Sequence, residues 1–167
     1  MIGRPEACEH GRYYDRYVAL VSGTDLLAAL ATSETAALTR AADPALTRHA
    51  YAPGKWTFAG VVQHVIDTER VFTYRALRIA RGDATPLPGY DQDLFAAHAP
   101  DRPLAALADE LDRLRASTRD LLAALAPDAL ARIGSASDQP LSARAAGWIS
   151  AGHDLHHAAI LRARYLP

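Results

Sequence analysis

The chain has 167 residues, a net charge of −1 with its seven histidines neutral, and 50% hydrophobic against 22% charged residues. That length suits a single domain, 1–167, with a real core, and a composition led by Ala and Leu points to a helical soluble protein rather than a disordered chain or a sheet. Near-neutral charge leaves no basic field for nucleic acid or an anionic membrane, and no apolar run approaches the ~20 residues that span a bilayer.

The N-terminal stretch MIGRPEACEHGRYYDRY is polar and lacks the apolar core of a signal peptide, which predicts a cytoplasmic protein. Residues 1–23 read as an irregular arm with a short helix over Tyr13–Leu20, its Tyr13, Tyr14 and Tyr17 packing on the domain. The one cysteine, Cys8, rules out an internal disulfide and a cysteine zinc site; with His10 nearby it reads as a terminal thiol, not a metal pair. Thr24 or Asp25 caps a first helix running to about Arg40, with Leu27, Leu30, Ala31, Ala37, Leu38 and Ala41 on its apolar face. Glu34 falls in that face and reads as a side chain reaching the edge, with a pocket-lining role as the alternative. Pro44, Pro53 and Gly54 break the next stretch into a connection that carries His49 on the surface.

Thr57 caps a second helix that runs to about Arg81 and stops at Gly82. With His64 as reference, Val61, Asp67, Thr68, Val71, Arg75 and Arg78 fall within ~60° of it on an ideal helix. A seam of His, Asp, Thr and Arg turned towards neighbouring helices reads as a cavity wall. Glu69 points away from it and reads as an ion-pair partner. Residues 82–101, with Pro86, Pro88, Gly89 and Pro100, form a connection long enough for a crossover or a lid, with His98 exposed. Pro103 opens a third helix that ends near Ala126; Leu104, Leu107, Leu111, Leu114, Thr118, Leu121 and Leu125 give it a core stripe without chemistry. A link with Gly134, Ser135, Ser137 and Pro140 leads to Ser142, which caps a fourth helix ending near Tyr165.

Four amphipathic helices define an all-α four-helix bundle. In the fourth, His153 and His157 lie one turn apart in a stripe otherwise made by Ile149, Ile160 and Leu161. An i, i+4 imidazole pair can point two nitrogens at one ion, and a bundle core is where a third ligand from a facing helix would meet it. His64 is the only histidine of the second helix and sits on its polar seam. His156, three residues from His153, competes with His157 for the second position, and a pair of hydrogen-bonded core histidines is the bland alternative. Three ligands leave a coordination position open, which is the catalytic pattern; a fourth protein ligand, for which Glu34, His156 and Tyr74 are candidates, would make the site structural. The signatures HExxH, G-x-S-x-G, Walker A and G-x-G-x-x-G are absent, as is the two-His, two-Glu pattern of a di-iron bundle.

Gly54-Lys55-Trp56-Thr57, then His64, Asp67, Glu69 and Arg75 in HVIDTERVFTYRALRIARGD, then GHDLHH at 152–157, resemble the DinB family in its YfiT-like branch of metal-dependent enzymes. The resemblance runs from about Tyr14 to Leu166. It implies a bundle of up-down-down-up topology, in keeping with the long 82–101 link, and a homodimer. It also implies a divalent metal, nickel or zinc, on His64, His153 and His157. Members of the family work as hydrolases or as S-transferases and isomerases that use a low-molecular-weight thiol such as mycothiol or bacillithiol. The expectation is therefore a metal-dependent enzyme acting on a small molecule. Asp67 would be its general base or the acceptor for a ligand imidazole N–H, and Arg75 or Arg78 the anchor of an anionic substrate. The competing expectation is a metal-stabilised dimeric bundle that binds a small molecule or protein partner without turnover.

Overall fold

The computed structural model describes residues 1–166. Its elements are α1 (Asp15–Val18), α2 (Leu26–Ala29), α3 (Glu34–Ala41), α4 (Phe58–Ala80), α5 (Gln92–Ala97), α6 (Leu104–Ala123), α7 (Pro127–Ala131), β1 (Ile133–Ala136), β2 (Gln139–Ser142) and α8 (Ala143–Arg164). The helices α3, α4, α6 and α8 form the bundle. Around its ring α3 packs on α6, α6 on α4, α4 on α8, and α8 back on α3, so α3 faces α4 and α6 faces α8 across the diagonals, while α4 and α6 are neighbours. Between α4 and α6 the contact partners climb together, from Gln63 with Arg102 through Arg70 with Glu110 to Thr73 with Thr118.

The second and fourth helices start where their caps put them. The Thr57 side chain accepts from the Gly60 N–H and Ser142 from the Ala145 N–H, each satisfying a first-turn donor. The first helix departs from expectation. Asp25 does cap a helix, but after α2 the chain breaks and restarts at a second cap, Ser33. The cause is distant in sequence: the Asp154 carboxylate on α8 accepts from Ser33 Oγ (2.7 Å), Glu34 N (3.0 Å) and Thr35 N (3.3 Å). These bonds hold the start of α3 against α8, and a continuous helix could not offer those backbone N–H groups.

The links also hold more structure than their composition suggested. Asp91 caps the short α5, and residues 133–142 form an antiparallel hairpin, so the protein is not purely helical. Ser137 and Asp138 turn the hairpin at φ of 52° and 59°, an uncommon conformation for side chains other than Asn or Gly. Leu87 pairs with the outer edge of β1 through bonds to Ser135 O and from Ser137 N, both 2.9 Å. The N-terminal arm is docked as well: Trp148, fully buried in α8, donates to Gly3 O at 2.9 Å, and Arg4 stacks on its indole.

Two apolar clusters fill the bundle. One gathers Leu26, Leu30, Phe72, Ile79, Trp148 and Ile149; the other gathers Phe58, Val61, Val65, Leu107, Leu111 and Leu161. Along α4 the change from one cluster to the other falls between Ile66 and Phe72, and along α8 between Ala151 and Leu161. On α8 that change is bridged by buried His153 and His157, and on α4 by buried Thr68 and Glu69, with His64 just before it. Ile66 is fully buried in the second cluster, whereas Leu77 is exposed.

Candidate metal centre

His64 from α4 and His153 and His157 from α8 meet in the gap between the two clusters, with exposures of 7%, 6% and 9%. Each offers a ring nitrogen, and the three atoms lie within 4.8 Å of one another. The Nε2 of His153 is 3.1 Å from the Nε2 of His64 and 3.1 Å from that of His157. A neutral ring nitrogen has one in-plane site, either a proton or a lone pair. The central Nε2 therefore cannot complete both contacts as hydrogen bonds. His157 Nδ1 is buried without a partner among the described residues, so hydrogen bonding does not account for the burial of this ring either.

A single ion at the convergence point would satisfy all three Nε2 atoms at once. Tetrahedral coordination with metal–nitrogen bonds of about 2.0–2.1 Å puts ligand nitrogens about 3.3 Å apart, close to the observed spacing. Protonation suits the same task. Burial pushes His64 down to about 4 and His157 down to about 3, with neighbouring imidazoles adding to it. His153 is held well below its ordinary value, again by burial first and then by His157 and His64. All three rings are neutral at pH 7, as ligation requires.

The surroundings fix the rings. Trp56 lies 4.9 Å from His64 between centroids, and Tyr17 lies edge-on to His153 at 5.4 Å. His156 packs beside Tyr17 instead, half-buried, and does not join the cluster. Glu34 is on the surface with Arg162, and Tyr74 is exposed and accepts from Arg78 at 2.8 Å. Among the described residues, no fourth His, Cys, Asp or Glu completes the group.

Two cavities flank the cluster. One, of about 320 Å³, has His64 and His153 in its wall together with Tyr14, Tyr17, Phe72, Arg75 and Tyr90. The other, of about 260 Å³, has His157 in its wall with Lys55, Trp56, Asp93 and Tyr165. Thr68 Oγ1 and the Tyr90 hydroxyl are 2.7 Å apart on the first cavity's wall. Of the other side chains the sequence offered, Arg75 lines this cavity and Arg78 does not: Arg78 is taken by an ion pair with Asp83. Asp67 lies outside both walls, with Oδ1 accepting from Gln63 Nε2 at 2.9 Å and Arg70 3.7 Å away.

Sequence reasoning passed over a second polar cluster beside the histidines. Arg115 of α6, 3% exposed, lies between Glu69 of α4 and Asp154 of α8, each 2% exposed in its side chain. Its Nε is 3.0 and 2.9 Å from the two Glu69 oxygens. Glu69 had been read as an ion-pair partner, but nothing local marks Arg115 as its mate. Asp154 follows His153 in sequence, so this cluster ties three bundle helices together beside the three histidines.

The fold and site define a class: a helical bundle with a buried, neutral three-histidine cluster open to two cavities. The chain belongs to the DinB superfamily, whose profile matches residues 27–161. Among solved structures it is similar to YfiT from Bacillus subtilis, described as a probable metal-dependent hydrolase with an unusual four-helix bundle topology. The two superpose with a TM-score of 0.72 over 97% of this chain and 91% of that one, at 16% sequence identity, which speaks for a shared fold. Comparison with curated proteins finds no match.

Proposed function

We propose that the protein is a metal-dependent hydrolase acting on a small molecule, with one divalent ion, nickel or zinc, held by His64, His153 and His157. The observation that carries this reading is the meeting of three neutral Nε2 atoms around one point that hydrogen bonds cannot satisfy. Membership of the DinB superfamily and the printed description of YfiT support it. When bound, such an ion supplies Lewis-acid polarisation and a lowered pKa for coordinated water. The protein's own part is to hold three imidazoles neutral, to wall the larger cavity with Tyr17, Phe72 and Tyr90, and to leave one side of the cluster without a protein ligand. In this reading Arg75 contacts substrate. Asp67, outside both cavity walls, would take part only through Oδ2, since Oδ1 already accepts from Gln63.

The two flanking cavities favour one second reading, transfer of a low-molecular-weight thiol such as mycothiol or bacillithiol to an electrophile, because two reactants could approach the ion from different sides. We further take the chain path to be up-down-down-up, which the climbing α4–α6 partners support, and the working unit to be a cytoplasmic homodimer. Its assembly is checked by sedimentation of wild type beside Leu77→Glu. The function is tested by loading purified protein with zinc or nickel and assaying nitrophenyl esters and, with and without each thiol, a set of small electrophiles. Thiol-independent turnover lost in His64→Ala supports the hydrolase, and thiol-dependent turnover selects the transferase. Full metal occupancy with no turnover, and stability that depends on metal, would instead favour the non-catalytic bundle.

A further inference from the structure

Arg75 is the one buried cation on the wall of the larger cavity, and it is 3% exposed. Buried arginines are ordinarily paired with carboxylates, because leaving a guanidinium uncompensated in a dry site is costly. The other buried arginine among the described residues, Arg115, follows that rule with Glu69, and the half-buried Arg144 and Arg78 pair with Glu9 and Asp83. Arg75 does not. Its Nη2 donates to Pro88 O at 2.8 Å and to Ser137 Oγ at 2.9 Å, both neutral, and it forms no ion pair among the described residues. The nearest acids in sequence on α4 are committed elsewhere, Glu69 to Arg115 and Asp67 to Gln63. The two bonds instead tie Arg75 to residues 88 and 137, so the hairpin turn and the 82–101 link hold the guanidinium in place.

From this we infer that the cavity takes a small organic carboxylate with an apolar or aromatic body, the carboxylate on Arg75 and the reacting end towards His64 and His153. The planar guanidinium matches a carboxylate in geometry, and its single charge matches the monoanion; a phosphate dianion would leave net charge among Tyr14, Phe72 and Tyr90 with no second cation on that wall. Length follows from the helix. His64 and Arg75 are eleven positions apart, which is about 16 Å of axial rise, and the reach of the arginine shortens this to a gap on the order of 10 Å. A ligand that engages both ends is therefore elongated, and its middle meets Phe72, Tyr17 and the Thr68–Tyr90 hydroxyl pair. The reacting-end assignment rests on the metal reading above; the carboxylate assignment does not.

The test is calorimetric titration of zinc-loaded and of chelator-treated protein with ω-phenylalkanoates of increasing chain length and with their primary amides. The expected result is at least a tenfold preference for acid over amide, kept after chelation, abolished in Arg75→Gln and partly kept in Arg75→Lys. Equal affinity for acid and amide in wild type overturns the inference, as does absence of binding by every acid. A preference that survives in Arg75→Gln but vanishes on chelation also overturns it, since the carboxylate would then be binding the metal. An Arg75-dependent preference in protein that takes up no metal would uphold this inference while refuting the metal reading. The wild-type comparison needs no variant, so a misfolded Arg75→Gln leaves the test intact.

Discussion

Gly152 sits immediately before the first histidine of α8, and replacing it with alanine should loosen the N-terminal arm. A Cβ there would lie 2.0 Å from the Tyr17 carbonyl oxygen, 2.4 Å from its carbon and 3.0 Å from its Cα. These are backbone atoms of α1, which cannot swing aside as a side-chain tip can, so the whole segment must retreat by more than 1 Å to reach ordinary contact distance. Tyr17 is 7% exposed and lies against both His153 and His156, so its ring moves with it. Overpacking of this kind costs about 2–3 kcal/mol, and alanine returns about 1 kcal/mol through its higher helix propensity. The net loss is about 1–2 kcal/mol, or about 2–8 °C in Tm for a chain of this size. Thermal unfolding of metal-free Gly152→Ala, followed by circular dichroism, measures it. The three ligand side chains are untouched, so metal uptake is expected to persist. An unchanged or raised Tm would refute the close packing of α1 on α8 and, with it, the place of Tyr17 in the cavity wall.

Arg115→Met should destabilise the fold by about 3–5 kcal/mol in urea denaturation, because it strands Glu69 as a buried carboxylate and removes the cation beside Asp154; a loss below about 1 kcal/mol would show that this cluster is solvated. The three histidines make metal-free protein acid-sensitive. Their folded pKa values lie below the unfolded value of about 6.5, so below that pH the unfolded chain binds more protons and stability falls as pH falls. Between about pH 6 and 5, His64→Ala should reduce this slope by up to about 1.4 kcal/mol per pH unit, measured by denaturation in chelator; identical slopes for variant and wild type would contradict the burial of that ring.

The helical framework was legible because each long helix carries its own instructions. Thr57 and Ser142 cap α4 and α8, and the polar seam containing His64 is visible from periodicity alone. The i, i+4 spacing of His153 and His157 marks a common face in the same way. What stayed hidden depends on contacts between distant segments. Nothing near Ser33 says that an aspartate about 120 residues away will claim its N–H neighbours and break the first helix. The Ser137-Asp138 turn lacks the Asn-Gly chemistry that advertises a hairpin, and β1 and β2 are four residues each. Nothing local distinguishes Arg115 from Arg113 and Arg119 on α6, since only the tertiary fold sets it opposite Glu69 and Asp154. The separation of Arg75 from Arg78 follows the same logic: on the helical wheel they share a face, and the loops that each meets decide which one is paired.

The central claim is that His64, His153 and His157 hold one metal ion. The most direct measurement is elemental analysis by mass spectrometry of protein purified without a metal-affinity tag, beside the His153→Ala/His157→Ala variant. The account predicts about one equivalent of zinc or nickel in the wild type and a small residue of it in the folded variant. Wild-type protein that stays free of metal after incubation with both ions, or a variant that retains a full equivalent, would contradict it.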